Sequence, residues 1–139
     1  MAKILVVEDN ALNIKLFCDL LSAHGHECEP VTDSREALAS AQAFRPDLVI
    51  TDIQLPHLSG LELMGLLRGD EELKEVPIMA VTAYAAPGDD ERIRAAGASA
   101  YVSKPISVVR FAEAVEQLLE TARTNKVPTI PEPSPGTIT

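Results

Sequence analysis

Ile4-Leu5-Val6-Val7-Glu8-Asp9-Asn10 decides the fold, because an apolar run breaks abruptly on two acids and helical spacing begins directly after them. Consecutive apolar residues in so short a run read as a strand buried on both faces. From Ala11 to His24 the period changes: Ile14, Phe17, Cys18 and Leu21 fall at i, i+3, i+4 and i+7, and Gly25 is placed to stop a helix. The first unit is therefore a strand followed by a helix, with acids at the strand's carboxyl end.

The same unit repeats outward along the chain. Glu27 to Val31 predicts a second strand, and Asp33 with Glu36 predicts a capping box opening a helix through Ala43. Leu48-Val49-Ile50-Thr51 predicts a third strand closed by Asp52, and Ser59 with Glu62 a second capping box for a helix ending near Gly69. Pro77 to Val81 reads as the fourth strand, Asp89 to Ala96 as a short helix stopped by Gly97, and Ala100 to Val102 as the fifth strand. After Ser107 a last helix carries Val108, Phe111, Ala112, Val115, Leu118, Leu119 and Ala122 on one face. Strands alternating with helices through short connections imply right-handed crossovers. The expectation is an α/β, doubly wound, five-stranded parallel sheet with five helices, in the flavodoxin-like order 2-1-3-4-5.

Composition narrows the class further. The chain has 139 residues, 46% hydrophobic but only 4% aromatic, so one core built from Val, Ile, Leu and Ala is expected. A net charge of -9 repels the phosphate backbone of nucleic acids, and no basic patch offsets it. No apolar run approaches the roughly 20 residues of a membrane span, and no signal peptide is visible, which predicts a cytoplasmic protein without membrane insertion. Residues 1–123 are expected to form the domain and residues 124–139 a Pro-rich disordered tail, with no room for an output domain. Pro128-Thr129-Ile130-Pro131 matches P-x-x-P, although a plain solvated tail is the simpler reading. Cys18 and Cys28 lack the paired spacings of zinc or redox sites, and two thiols are expected. Grouping them with His24 and His26 as a metal site is the weaker alternative.

The chemistry collects at the strand ends, where open α/β sheets bind their ligands. They close in Glu8-Asp9, Asp52, Thr82 and Ser103-Lys104. Each has a plainer reading taken alone: Asp9 or Asn10 as a helix cap, Asp52 as a loop acid, Thr82 as a turn hydroxyl, Lys104 as a solvated charge. Together they are hard to explain that way. Two like charges 4 Å apart repel by about 4 kcal/mol at an effective dielectric of 20, so adjacent strands ending in carboxylates need a cation, a proton or a function. Oxygen donors of this kind suit octahedral Mg²⁺ beside a phosphate, and a carboxylate so placed can accept a phosphoryl group.

At this point the residues resemble a family. Ile4 through Asn10, Asp52-Ile53-Gln54-Leu55-Pro56, Thr82-Ala83 and Lys104-Pro105, in order and each at a strand end, are similar to the receiver domains of bacterial response regulators over about residues 1 to 122. Within the family, Ser59-Gly60-Leu61-Glu62, Glu91-Arg92-Ile93-Arg94 and Ser103-Lys104-Pro105-Ile106-Ser107 look closest to single-domain cell-cycle regulators. The resemblance implies that Asp52 is phosphorylated by a sensor histidine kinase or a histidine phosphotransfer protein. It implies Mg²⁺, with Mn²⁺ as an alternative, on Asp9, Asp52 and the Gln54 backbone carbonyl, with Glu8 assisting. Lys104 would be catalytic, Thr82 and Tyr101 the switch, and Gln54, Ala83 and Tyr84 the residues flanking the phosphoryl group. A downstream protein would read the face of the fourth helix, fifth strand and fifth helix. The Lys104-Pro105 bond is one the family uses in cis. No enzyme acting on other substrates is implied, only a phosphoacceptor that catalyses its own phosphorylation and slow dephosphorylation.

Rival readings fare worse on the residues. An aspartyl phosphatase would place a second Asp two positions after the nucleophile, where Gln54 cannot act as an acid. A nucleotide or flavin module would need a Gly-, Ser- or Thr-rich phosphate cradle where Glu8-Asp9-Asn10 stands. A pseudo-receiver that keeps the fold but takes no phosphate remains the third reading.

Overall fold

The computed structural model describes residues 2–83, 88–104 and 106–126, apart from the side chains of Asp90 and of residues 122–126. Five strands, β1 (Lys3–Val7), β2 (Glu27–Val31), β3 (Leu48–Asp52), β4 (Ile78–Thr82) and β5 (Ala100–Ser103), form one parallel sheet in the order β2-β1-β3-β4-β5. Between them run α1 (Ala11–Ala23), α2 (Ala37–Phe44), α3 (Gly60–Arg68) and α4 (Asp89–Ala96), and α5 (Val108–Lys126) follows the last strand. This is the doubly wound α/β architecture expected.

Strand alternation divides the core. Ile4, Val6, Leu48, Ile50, Met79 and Val81 point to one face and pack with Phe17 and Leu21 of α1 and with Phe111 and Val115 of α5. Leu5, Val7, Val49, Ile78 and Ala80 point to the other, against Ala37 and Ala41 of α2, Leu63, Met64 and Leu67 of α3, and Ile93 of α4. β3 and β4 are buried at every position, as central strands covered on both faces must be. Phe17 and Phe111 stack with ring centroids 5.2 Å apart, fastening α1 to α5. β2 is an edge strand and only Val31 is fully buried on it.

Helix starts follow local chemistry. Asn10 caps α1, its side chain accepting hydrogen bonds from the backbone N–H groups of Leu12 and Asn13. Ser59 and Glu62 form the expected capping box, and Gly69 ends α3. The expected box at Asp33 and Glu36 does not form: the Asp33 side chain takes the N–H of Arg35, and residues Ser34–Glu36 make a 3₁₀ turn before α2. The reason is that Arg35 also bonds the same carboxylate through its guanidinium, at 2.8 and 3.1 Å, which holds Asp33 at an acidity of about 2.

Two further expectations change. Cys18 and Cys28 are not free thiols but joined as a disulfide, their Cα atoms 5.7 Å apart. The turn at Gly25 folds β2 back beside α1, so a separation of 10 in sequence becomes contact in space. This also removes both thiols from any metal site with His24 and His26. α5 extends to Lys126, past position 124, where the extended tail was expected to begin. The rest of the tail, with its P-x-x-P segment, lies outside the described residues, as do Tyr84 and Pro105 and with them the isomer of the Lys104-Pro105 bond.

Candidate functional site

β1 and β3 lie side by side, with Val7 in register with Thr51, so the residues that follow or close them meet at one end of the sheet. Glu8, Asp9 and Asp52 each offer an oxygen there, all within 4.8 Å of one another. Each is held differently. The backbone N–H of Glu8 still donates to Val31, 3.0 Å away, which keeps the residue in the sheet and buries its side chain. Because Asn10 takes the capping role, the exposed carboxylate of Asp9 is left at the cluster and not at the helix end.

Asp52 is 5% exposed. Its Oδ2 accepts a 2.7 Å hydrogen bond from Lys104 Nζ, and its Oδ1 accepts one of 3.1 Å from the Gln54 backbone N–H. The Asp52 backbone is fixed as well. Thr51 Oγ1 donates to its carbonyl at 3.0 Å, and Gly60 presses against that carbonyl so closely that a Cβ there would overlap it. Ser34 Oγ donates to the carbonyls of Leu58 (2.7 Å) and Pro56 (3.2 Å), tying down the loop that leads from Asp52 to α3.

Lys104 follows β5, and its backbone N–H donates to the Thr82 carbonyl at 2.7 Å, which couples the lysine to the end of β4. Partial burial opposes its charge, but the hydrogen bond from Lys104 to Asp52 and the charges of Asp52, Glu8 and Asp9 outweigh it and raise its basicity. One lysine does not balance the cluster. Glu8 Oε2 accepts the Asn10 N–H at 3.0 Å, whereas Oε1 lies 3.7 Å from Lys104 Nζ, buried and without a hydrogen bond. Burial above all, with Asp52 adding repulsion, pushes the Glu8 carboxyl up to about 7 against the pull of the Asn10 N–H and of Lys104. An orphaned buried oxygen beside two more carboxylates is a donor set that fits a hard divalent cation.

Thr82 is buried at the end of β4, in register with Ser103, and Ala83 follows it exposed at the surface. The structure thus brings Glu8, Asp9, Asp52, Gln54, Thr82, Ala83 and Lys104 to one end of the sheet. Tyr101 is set back from that end: it pairs with Ala80, is half-buried, and carries the Arg94 guanidinium 5.9 Å from its ring centroid. Gly60 and Ser34 are the site residues that strand-end reasoning misses, because they act through backbone contact across the fold.

A family described as the response regulator receiver domain matches residues 4–116. The chain belongs to that family. The polar-differentiation response regulator DivK of Brucella anthropi is 52% identical over 116 residues, covering 84% of this chain and 94% of that protein, and DivK of Brucella ovis matches to the same extent. Among solved receiver structures, the Vibrio cholerae chemotaxis regulator CheY4 superposes with a TM-score of 0.81 at 30% identity, covering 85% of this chain and 98% of that one. The receiver domain of a Pseudomonas aeruginosa sensor histidine kinase, solved with a magnesium ion in its active-site cleft, gives 0.79 at 32% identity, covering 86% and 98%. The receiver fold anticipated from the motifs is therefore found, and the DivK proteins match the expected likeness to single-domain cell-cycle regulators.

Proposed function

We propose that this receiver domain takes a phosphoryl group on Asp52 from a phosphohistidine of a sensor kinase or phosphotransfer protein and uses it to change its protein contacts. The observation that carries this reading is the buried Asp52 carboxylate, hydrogen-bonded by Lys104 within an acidic cluster that leaves the buried Glu8 Oε1 without a hydrogen bond. An Asp52 oxygen attacks phosphorus while the bond to the histidine nitrogen breaks, its electron pair staying on the imidazole. Lys104 is already in place to neutralise charge on the phosphoryl oxygens. Asp9, Asp52 and the Gln54 carbonyl, with Glu8 behind them, would hold Mg²⁺ or Mn²⁺, which supplies further charge neutralisation there.

Thr82, at the end of β4, is the group that would answer the new phosphoryl charge, and Tyr101 the residue that relays it. Gln54 and Ala83 would flank the phosphoryl group and govern the access of water, the role that the resemblance also implies for Tyr84, which lies outside the described residues. The relay biases a two-state surface formed by α4, β5 and α5, where a downstream protein docks. DivK is named for polar differentiation, and a role in the control of cell division from the cytoplasm is the process proposed for this chain. No helix among the described residues is long and apolar enough to cross a membrane.

Intact mass after incubation with a small acyl phosphate tests the reading. The expected result is a Mg²⁺-dependent gain of one phosphoryl group, reduced at least about 100-fold in Asp52→Asn, the scale on which loss of a nucleophile acts. No gain across a time course that captures rapid hydrolysis would overturn it in favour of a pseudo-receiver.

A further inference from the structure

Cys18 and Cys28 lie away from Asp52 and serve no part of the chemistry above. Cys28 is in register with Ile4, which in turn pairs with Leu48 at the start of β3, so the disulfide sits near the opposite end of the strands from the acidic cluster. Its side chain packs with the core shared by α1 and α5, and Cys18 meets it from α1, one residue after the Phe17 that stacks on Phe111. Both cysteines are half-buried and so within reach of a small molecule in solution. The Cα separation of 5.7 Å falls in the range that a disulfide bridges without moving the backbone.

We propose that Cys18 and Cys28 are a reversible redox modification site, oxidised by a small-molecule disulfide of the glutathione class, which locks α1 to the edge strand β2. One cysteine thiolate attacks a sulfur of the oxidant and expels the first glutathione thiolate. The second cysteine thiolate then attacks the resulting mixed disulfide and expels the other. Two glutathione thiols leave with the two protons and two electrons that the cysteines give up, and a dithiol reverses the sequence.

The lock matters because of what it joins. Among the described residues β2 has a sheet neighbour on one side only, and α1 begins just after the acids of the cluster, so α1 is the element that connects the redox pair to the proposed phosphoacceptor end. Closing a loop of this length restricts the unfolded chain. The oxidised form is expected to melt roughly 5–10 °C above the reduced form.

The test uses the full chain, equilibrated with excess oxidised glutathione or with dithiothreitol, then unfolded, alkylated and weighed intact. The expected oxidised product is a monomer with no alkyl group and no glutathione adduct, returned by dithiothreitol to two alkylatable thiols, and with the higher melting temperature. Cys18→Ser should take a single glutathione on Cys28 and lose the redox-dependent melting shift. Two alkylatable thiols after oxidation, predominance of adducts or linked dimers in the wild type, or an undiminished melting shift in Cys18→Ser would each overturn the proposal. Phosphoryl uptake enters none of these readouts, so they stand or fall apart from the phosphoacceptor reading.

Discussion

Two charged groups are drawn into the body of this protein, and they are treated in opposite ways. Arg68, at the end of α3, gives its guanidinium N–H groups to the carbonyls of Gly97 (2.7 and 3.1 Å), Lys74 (2.8 Å) and Val76 (2.6 Å). It closes the last turn of α3 onto the end of α4 and the approach to β4, and although burial lowers its basicity its donors are satisfied. At the strand ends, Glu8, Asp9 and Asp52 share one lysine and leave an oxygen orphaned. A complete set of partners marks a group that holds the fold together. An incomplete set marks a group waiting for a ligand, and there the fold carries an electrostatic cost.

If this contrast is right, neutralising the charged group itself destabilises the first region and stabilises the second in the absence of metal, whereas disturbing the backbone that holds either one is costly. The largest effect belongs to Arg68→Met, which strips three carbonyls of their donor; it should cost about 2–3 kcal/mol in urea unfolding, with Arg68→Lys regaining less than half. Phosphoryl uptake by the folded fraction should be unchanged. Gly60→Ala comes next, because its Cβ would overlap the Asp52 carbonyl and crowd the Ile53 Cα. A loss of about 1–3 kcal/mol is expected, and here uptake on Asp52 should fall as well, since the displaced backbone is the one that carries the proposed acceptor. A Gly60→Ala protein with wild-type uptake would separate packing from function at this end of the sheet and blur the contrast.

The smallest effect sharpens it. The Glu8 carboxyl sits at about 7 in the folded protein against an ordinary 4.5, so between those values the native state binds more protons than the unfolded one. Its contribution is therefore fully present below pH 4.5 and is lost as pH rises through about 7. In metal-free buffer Glu8→Gln should flatten that decline and make the protein about 1 kcal/mol more stable than wild type at pH 8. Adding Mg²⁺ should stabilise the wild type more than the variant, and the difference should shrink as the pH falls.

How much of this the sequence discloses depends on whether the deciding contact is local or follows from strand register. Asp52 and Lys104 can be read from the chain because each closes an apolar run, and a parallel sheet gathers strand ends. The Ser59-Glu62 box is legible because its bonds span three residues. The failed box at Asp33 shows the limit of that reading, since the pattern is the same but Arg35 competes for the carboxylate. Gly60 and Arg68 owe their roles to backbone brought from elsewhere in the fold, and the cysteine pair to a chain reversal at Gly25, none of which a one-dimensional pattern displays.

β2 carries one more consequence. Among the described residues its ladder partner is β1 alone, and within it Glu29 and Pro30 follow each other at exposed positions while Val31 accepts the N–H of Glu8. In an extended strand the N–H and C=O of successive residues point alternately to either side, which sends the missing donor of Pro30 outward. The open margin of the sheet thus has a gap in its hydrogen-bonding row and is flanked by the carboxylates of Glu27 and Glu29. A neighbouring strand laid along that margin would meet the gap and the carboxylates, so β2 is a poor seed for fibrous growth at high concentration and contacts with other molecules fall to the rest of the surface.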